Sequence, residues 1–136
     1  MKFGVVMDPM GSINFKKDST LSILIEAQSR KHDLIYMEPN SLFLKEDGAY
    51  ALTQEIKVRD DSENWFELSD ISEMRLSDLD MIVMRQDPPF DVNYIYNTYV
   101  LETAEREEVI VINKPQSLRD CNEKVFATEF PQCCTP

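Results

Sequence analysis

Glycine is scarce in this 136-residue chain, which holds only Gly4, Gly11 and Gly48. That excludes a G-x-G-x-x-G fingerprint and a Walker-type phosphate loop, both of which need glycine where backbone closes on a phosphate. Histidine occurs once, at His32, and there is no serine nucleophile elbow, so most catalytic triads are excluded. His32 follows Arg30 and Lys31 at an expected helix end, where a cation suits the negative pole of the dipole. The partner ligands of a metal site are missing around it. Cysteine is confined to Cys121, Cys133 and Cys134. An odd count without Cys-x-x-Cys spacing provides neither a disulfide framework nor a zinc site. The vicinal pair Cys133 and Cys134 is expected to stay reduced. No apolar run approaches the roughly 18 residues of a membrane span, and the N-terminus meets Asp8 too soon for a secretory signal. The expected location is the cytoplasm, without a membrane partner.

Positive charge is also short. Fourteen Lys and Arg face 25 Asp and Glu, for a net charge of −11. Such a surface repels phosphate backbones and excludes nucleic acid as a partner. Any phosphate chemistry would need a local cationic pocket. The acidic stretches at residues 60–63 and 105–108 read as solvated faces. What the chain does have is a composition of 43% hydrophobic and 29% charged residues. That is globular, with length enough to bury about two-thirds of the unfolded surface.

The pattern along the chain is strand, helix, strand. Phe3 to Met7 is an apolar run suited to a strand buried on both faces. Residues 8–17 read as a loop. Asp18 or Ser19 can cap a following helix, in which Leu21, Leu24, Ile25 and Gln28 share one face that Ile23 and Ala27 widen. The helix should end near Arg30. Leu34 to Met37 is the next strand. A hairpin is expected from Leu42 to Val58 around the turn dipeptide Asp47-Gly48. Residues 59–80 are polar, with Trp65, Phe66, Leu68, Ile71, Met74 and Leu76 expected to pin them to the core. Met81 to Met84 and Val109 to Ile112 are two further parallel strands. A helix capped by Asp91 lies between them, with Tyr94, Ile95, Thr98, Tyr99, Leu101 and Glu102 on a mixed face. A last helix is expected from Gln116 to Phe130. The fold class is α/β: a Rossmann-like, open, mostly parallel sheet flanked by helices, with a hairpin insertion.

In such sheets ligands collect at the carboxyl ends of the strands, which points to residues 8–17, 85–91 and 113–116. Arg85 closes an apolar strand beside Pro88 and Pro89, where a guanidinium can grip a carboxylate in a two-pronged pair. A salt bridge from Arg85 to Asp87 or Asp91 that only shapes the loop accounts for the pattern equally well. Asp91 reads as a helix cap. Lys16 and Lys17 are either a solvated pair or a source of positive charge for an anion.

The segments Val6-Met-Asp-Pro9, Ile13-Asn-Phe-Lys-Lys-Asp-Ser19, Glu26-Ala-Gln28, Tyr36-Met-Glu38, Leu79-Asp80, Met84-Arg85 and Asp87-Pro-Pro-Phe-Asp91 together resemble the N-terminal portion of bacterial-type glutathione synthetases, which are ATP-grasp ligases. The run from Asn113 to Lys124 extends the resemblance, and residues 40–75 carry it least. It implies residues 1–123 as a pre-ATP-grasp substrate domain and residues 124–136 as the start of an ATP-grasp domain. It implies ATP-dependent joining of γ-glutamylcysteine and glycine through an acyl phosphate, with magnesium neutralising the phosphates, in a homo-oligomer. Arg85, Asp87, Asp8, Asn14 and Lys17 are then the expected substrate-binding residues, and Lys124 an ATP contact. No catalytic or metal-binding residue of the family has a counterpart here. The expectation is a truncated chain, inactive by itself, that binds neither ATP nor magnesium alone. A non-catalytic binding or oligomerisation module, or the first domain of another ATP-grasp carboxylate-amine ligase, are the alternatives.

Overall fold

A computed structural model describes residues 1–121 and 124–134. The chain opens with strand β1 (Lys2–Met7), whose five residues after Lys2 are all buried. Helix α1 (Ser19–Ser29) follows a loop with a short 3-10 turn at Met10–Ser12. Asp18 starts α1: its carboxylate accepts from the Thr20 N–H at 2.6 Å and the Leu21 N–H at 3.0 Å, satisfying two otherwise orphaned donors. Next come β2 (Asp33–Met37), β3 (Leu42–Lys45) and β4 (Gly48–Val58). Then β5 (Phe66–Leu68), β6 (Ser72–Arg75) and β7 (Met81–Arg85) lead to α2 (Val92–Arg106). Asp91 caps α2 by accepting from the Tyr94 N–H at 2.9 Å, as its position predicts. Strand β8 (Ile110–Ile112) and the six-residue α3 (Pro115–Asp120) complete the elements used below.

The strands form one eight-stranded sheet with the path β3-β4-β2-β1-β7-β8, and β5 and β6 both pair with β4. Strands β2, β1, β7 and β8 run parallel. The hairpin β3–β4 attaches antiparallel to β2. Residues 59–80 enlarge this antiparallel part, because β5 and β6 add to the free side of β4. The helices lie on opposite faces. Alternate residues of β1 divide accordingly: Phe3, Val5 and Met7 pack with Leu21 and Leu24 of α1, and Val6 packs with Val100 and Leu101 of α2. This is the α/β arrangement that the strand–helix pattern predicts.

Glycine matters at two places. Gly48 has φ +149°, and a Cβ there would lie 2.9 Å from Glu107 Oε1 and 3.0 Å from Arg75 Nη2. That space admits the Arg75–Glu107 ion pair at 2.8 Å, and Arg75 also donates to the Asp47 carbonyl, tying hairpin turn, β6 and α2 together. Gly4 lets two core layers close: a Cβ there would meet Leu79 Cδ1 at 2.8 Å and Met37 Cε at 2.9 Å.

Three expectations need correction. Ile23 does not widen the core face of α1; it is 39% exposed, lying about 100° around the helix from Leu24. Ile71 is 66% exposed, because it sits in the connection between β5 and β6. The last helix does not run from Gln116 to Phe130. It stops at Asp120, where Cys121 leaves helical backbone (φ −103°, ψ 71°), and Phe126–Glu129 and Pro131–Cys133 are separate 3-10 turns. Part of the expected helix, and the expected domain boundary at 123/124, fall on residues 122–123, outside the described residues. Tyr99, expected on the mixed face of α2, is 47% exposed, whereas Asn97, Val100 and Ala104 are buried.

Gly4→Val is expected to overpack this core and lower unfolding stability by about 1–3 kcal/mol. Gly11→Ala, where no atom lies within 4 Å of the new Cβ, should stay within about 0.5 kcal/mol. Urea melts of both variants check this. Buried Tyr36 gives a pH prediction. Burial first, then its hydrogen bond to Glu38, raises the phenol above its ordinary value. A raised folded value means that the folded chain holds its proton longer. Its contribution to stability is therefore complete below about pH 10 and lost as pH rises toward the folded value. Alkaline melts should show this slope, and Tyr36→Phe should flatten it.

Candidate functional site

Parallel pairing brings the expected loops together. In the register of β1 and β7, Met7 lies opposite Arg85, so Asp8 and Gln86 are the first residues beyond the sheet. The Asp8 carboxylate accepts from the Asp87 N–H at 2.8 Å, joining the two loops. Beside this joint is a cleft of about 230 Å³ lined by residues that include Asp8, Lys17, Asp18, Thr20, Arg85 and Asp87. Four of the five expected substrate-side residues meet there. The fifth, Asn14, does not line the cleft. Its carbonyl accepts from the Lys17 and Asp18 N–H groups at 2.9 and 3.0 Å, and its side chain accepts from the Lys16 N–H at 3.2 Å. Asn14 thus builds the turn that presents Lys17.

Arg85 makes neither of the salt bridges considered from sequence. Its Nε donates to Thr20 Oγ1 at 3.0 Å and its Nη2 to Ser19 Oγ at 2.9 Å. Both partners are neutral hydroxyls at the start of α1. They fix one edge of the guanidinium without neutralising it, and three of its five N–H groups take no part in these bonds. Sequence reading missed Ser19 and Thr20 as partners of Arg85, because hydroxyls beside a helix start read as caps. Only the packing of α1 against β7 reveals the contact.

A second cleft, of about 670 Å³, lies between the ends of β7 and β8. Gln86, Tyr94, Asn113, Lys114, Ser117 and Lys124 are among its lining. Lys124, the expected ATP contact, therefore shares a cleft with Lys114, which the sequence pattern did not single out. Burial raises the Tyr94 phenol above its ordinary value, so it stays a neutral hydroxyl. Helix α3 is held in place by Arg119. Its Nη1 donates to Thr98 Oγ1 at 3.0 Å, its Nη2 pairs with Glu102 at 3.1 Å, and the guanidinium lies 4.3 Å from the Tyr99 ring centroid. The two clefts have no lining residue in common and flank the loop 85–91.

His32 lines a groove of about 360 Å³ with Asp33, Lys57 and Arg59, at the amino end of β2 and away from both clefts. Among the described residues no group of three or more His, Cys, Asp or Glu could hold a metal ion. Cys121, Cys133 and Cys134 are free and exposed. Among the described residues no helix is long and apolar enough to cross a membrane.

Helices on both faces of a mixed sheet whose β2, β1, β7 and β8 run parallel define a domain of the open α/β class, in which ligands characteristically collect at the carboxyl edge. Comparison with known proteins makes this specific. The family model "Prokaryotic glutathione synthetase, N-terminal domain" matches residues 1–119, and the chain belongs to this family. The chain is 52% identical over 136 residues to the glutathione synthetases of Pseudomonas putida and Pseudomonas aeruginosa, covering 100% of this chain and 43% of each relative. It is 51% identical over 132 residues to that of Vibrio cholerae, covering 97% of this chain and 42% of the relative. The chain thus spans less than half the length of these relatives.

Replacing Thr20 by Val removes one hydroxyl at nearly constant shape. It should free Arg85 Nε and cost about 0.5–1.5 kcal/mol. The Arg85 side-chain Nε–H resonance is expected to move to the position of solvated arginines in ¹⁵N NMR spectra, while the core amides stay in place.

Proposed function

We propose that this chain forms the substrate-side domain of a glutathione synthetase, an ATP-dependent ligase joining γ-glutamylcysteine to glycine, in the cytoplasm. The observation that carries this reading is the Arg85 cleft. A guanidinium that makes no ion pair, braced by Ser19 and Thr20, stands at the sheet edge in a chain half identical to synthetases along its whole length. Arg85, Lys17, Asp8 and Asp87 face the dipeptide, and Asn14 positions Lys17. Residues 1–123 make up this domain, and residues 124–136 lead into the ATP-binding part.

Lys114 and Lys124 fit a phosphate group: two cations line one cleft of an otherwise acidic protein, and a lysine serves there as a point charge. ATP, when bound, supplies the phosphoryl group that activates the cysteinyl carboxylate for attack by the glycine amine. The chain's own part in this reading is to hold the dipeptide and set cations beside the phosphates. Tyr96 and Tyr99, 62% and 47% exposed on α2, support the homo-oligomer within this reading, since exposed aromatics are enriched at interfaces.

Joining this chain to the remaining portion of the Pseudomonas putida relative supplies the test. The hybrid should release ADP only when both γ-glutamylcysteine and glycine are present. Arg85→Ala should lower kcat/KM for the dipeptide by about tenfold to a hundredfold, the size of one lost hydrogen bond to a charge. Lys124→Ala should act mainly on the KM for ATP. ADP release that does not depend on the dipeptide, or that prefers another acid, would refute the assignment.

A further inference from the structure

The geometry points to a division of the dipeptide between the two clefts: the Arg85 cleft receives the α-amino-acid head of the γ-glutamyl group, not the carboxylate that reacts. This inference rests on the reading of the chain as a dipeptide-binding domain.

The cleft carries both signs of charge. Arg85 and Lys17 are its cations, and Asp8 and Asp87 line the same space. Asp18 lines it too, but its Oδ1 takes two N–H groups of α1; Asp8 gives one oxygen, Oδ2, to the Asp87 N–H, and the Asp87 carboxylate is the acid nearest to hand for a ligand. A phosphate or a lone carboxylate would gain from the cations and be repelled by the acids. A carboxylate and an ammonium on one carbon match both.

γ-Glutamylcysteine has a single ammonium group, on the glutamyl α-carbon beside the α-carboxylate. The cysteinyl nitrogen is an amide and has no charge to offer the two aspartates. Glycine is also a zwitterion, but its amine must lose a proton to attack. Two carboxylates would hold that amine in its charged form, so this cleft suits a head that binds and does not react. The cationic cleft of Lys114 and Lys124 lies across the loop 85–91, without a shared residue. A dipeptide anchored at Arg85 can direct its other end toward that cleft. Binding energy from the remote head then positions the reacting carboxylate.

The test is a ¹H–¹⁵N NMR titration of the 136-residue chain with four ligands. These are γ-glutamylcysteine, glutarylcysteine (no ammonium), 4-aminobutyrylcysteine (no α-carboxylate) and glycine. Arg85 Nε–H and the Thr20 and Asp87 amides report on the first cleft; the Ser117 and Leu118 amides report on the second. γ-Glutamylcysteine should shift the first set, and each truncated analogue should bind about tenfold or more weakly, as expected for losing a hydrogen-bonded charge. Asp87→Asn, with an unchanged core amide pattern, should bring γ-glutamylcysteine and glutarylcysteine close to equal affinity. Equal binding of glutarylcysteine by the unmodified chain, or tighter binding of glycine at Arg85, overturns the head assignment. If γ-glutamylcysteine moves only Ser117 and Leu118, the head assignment falls while the dipeptide-binding reading stands. If it moves neither set up to its solubility limit, both fall.

Discussion

The ligand edge depends on one constraint: β1 lies parallel between β2 and β7 and is buried on both faces. With Val5 at 1% and Val6 at 0% exposure, this strand has no freedom to slip. A shift of one residue would turn Phe3, Val5 and Met7 away from α1 and into the α2 layer. Its register sets Met7 opposite Arg85 and brings two distant loops to the same edge. The bond from the Asp87 N–H to Asp8 then closes the joint. Gly4 serves the same strand, since a larger residue would push Leu79 and Met37 apart.

On this frame a strongly acidic protein concentrates some of its few cations. Arg85 and Lys17 share one cleft, and Lys114 and Lys124 the other. The way Arg85 is held matters as much as where it sits. A carboxylate partner would have fixed the guanidinium and spent its charge. Hydroxyl partners fix it and leave the charge for a ligand. The opposite solution operates away from the edge, where Arg75 is paired with Glu107 and Asp47 and performs a purely structural task.

Much of this was legible along the chain. Asp18 and Asp91 announce helix starts because a short acceptor beside a helical period has few other uses. Asp47-Gly48 announces the hairpin because only glycine tolerates the required backbone without strain. Residues 59–80 were harder. Strands β5 and β6 are three and four residues long, too short to show alternation, and they exist because β4 offers a free side. The polar pattern from Gln116 to Phe130 suits one helix, but a short helix and separate 3-10 turns satisfy it as well. Asn14 shows a similar limit: it lies in the right loop, but its hydrogen bonds shape a turn and keep it out of the cleft.

The sequence by itself determined the order of strands and helices, the caps, the hairpin turn and the family, because each depends on residues near one another in the chain. Position after apolar runs also marked Arg85 and the loops 8–17 and 85–91, within which the family resemblance singled out Lys17, Asp8 and Asp87. Only the tertiary structure decided what those residues do to each other. Whether Arg85 meets Asp87, Asp91 or the hydroxyls of Ser19 and Thr20 depends on how α1 packs against β7, some 65 residues away in the chain. The separation of the two clefts likewise follows from sheet order. That order is set by which hydrophobic faces are buried together, a property of the whole core and of no single segment.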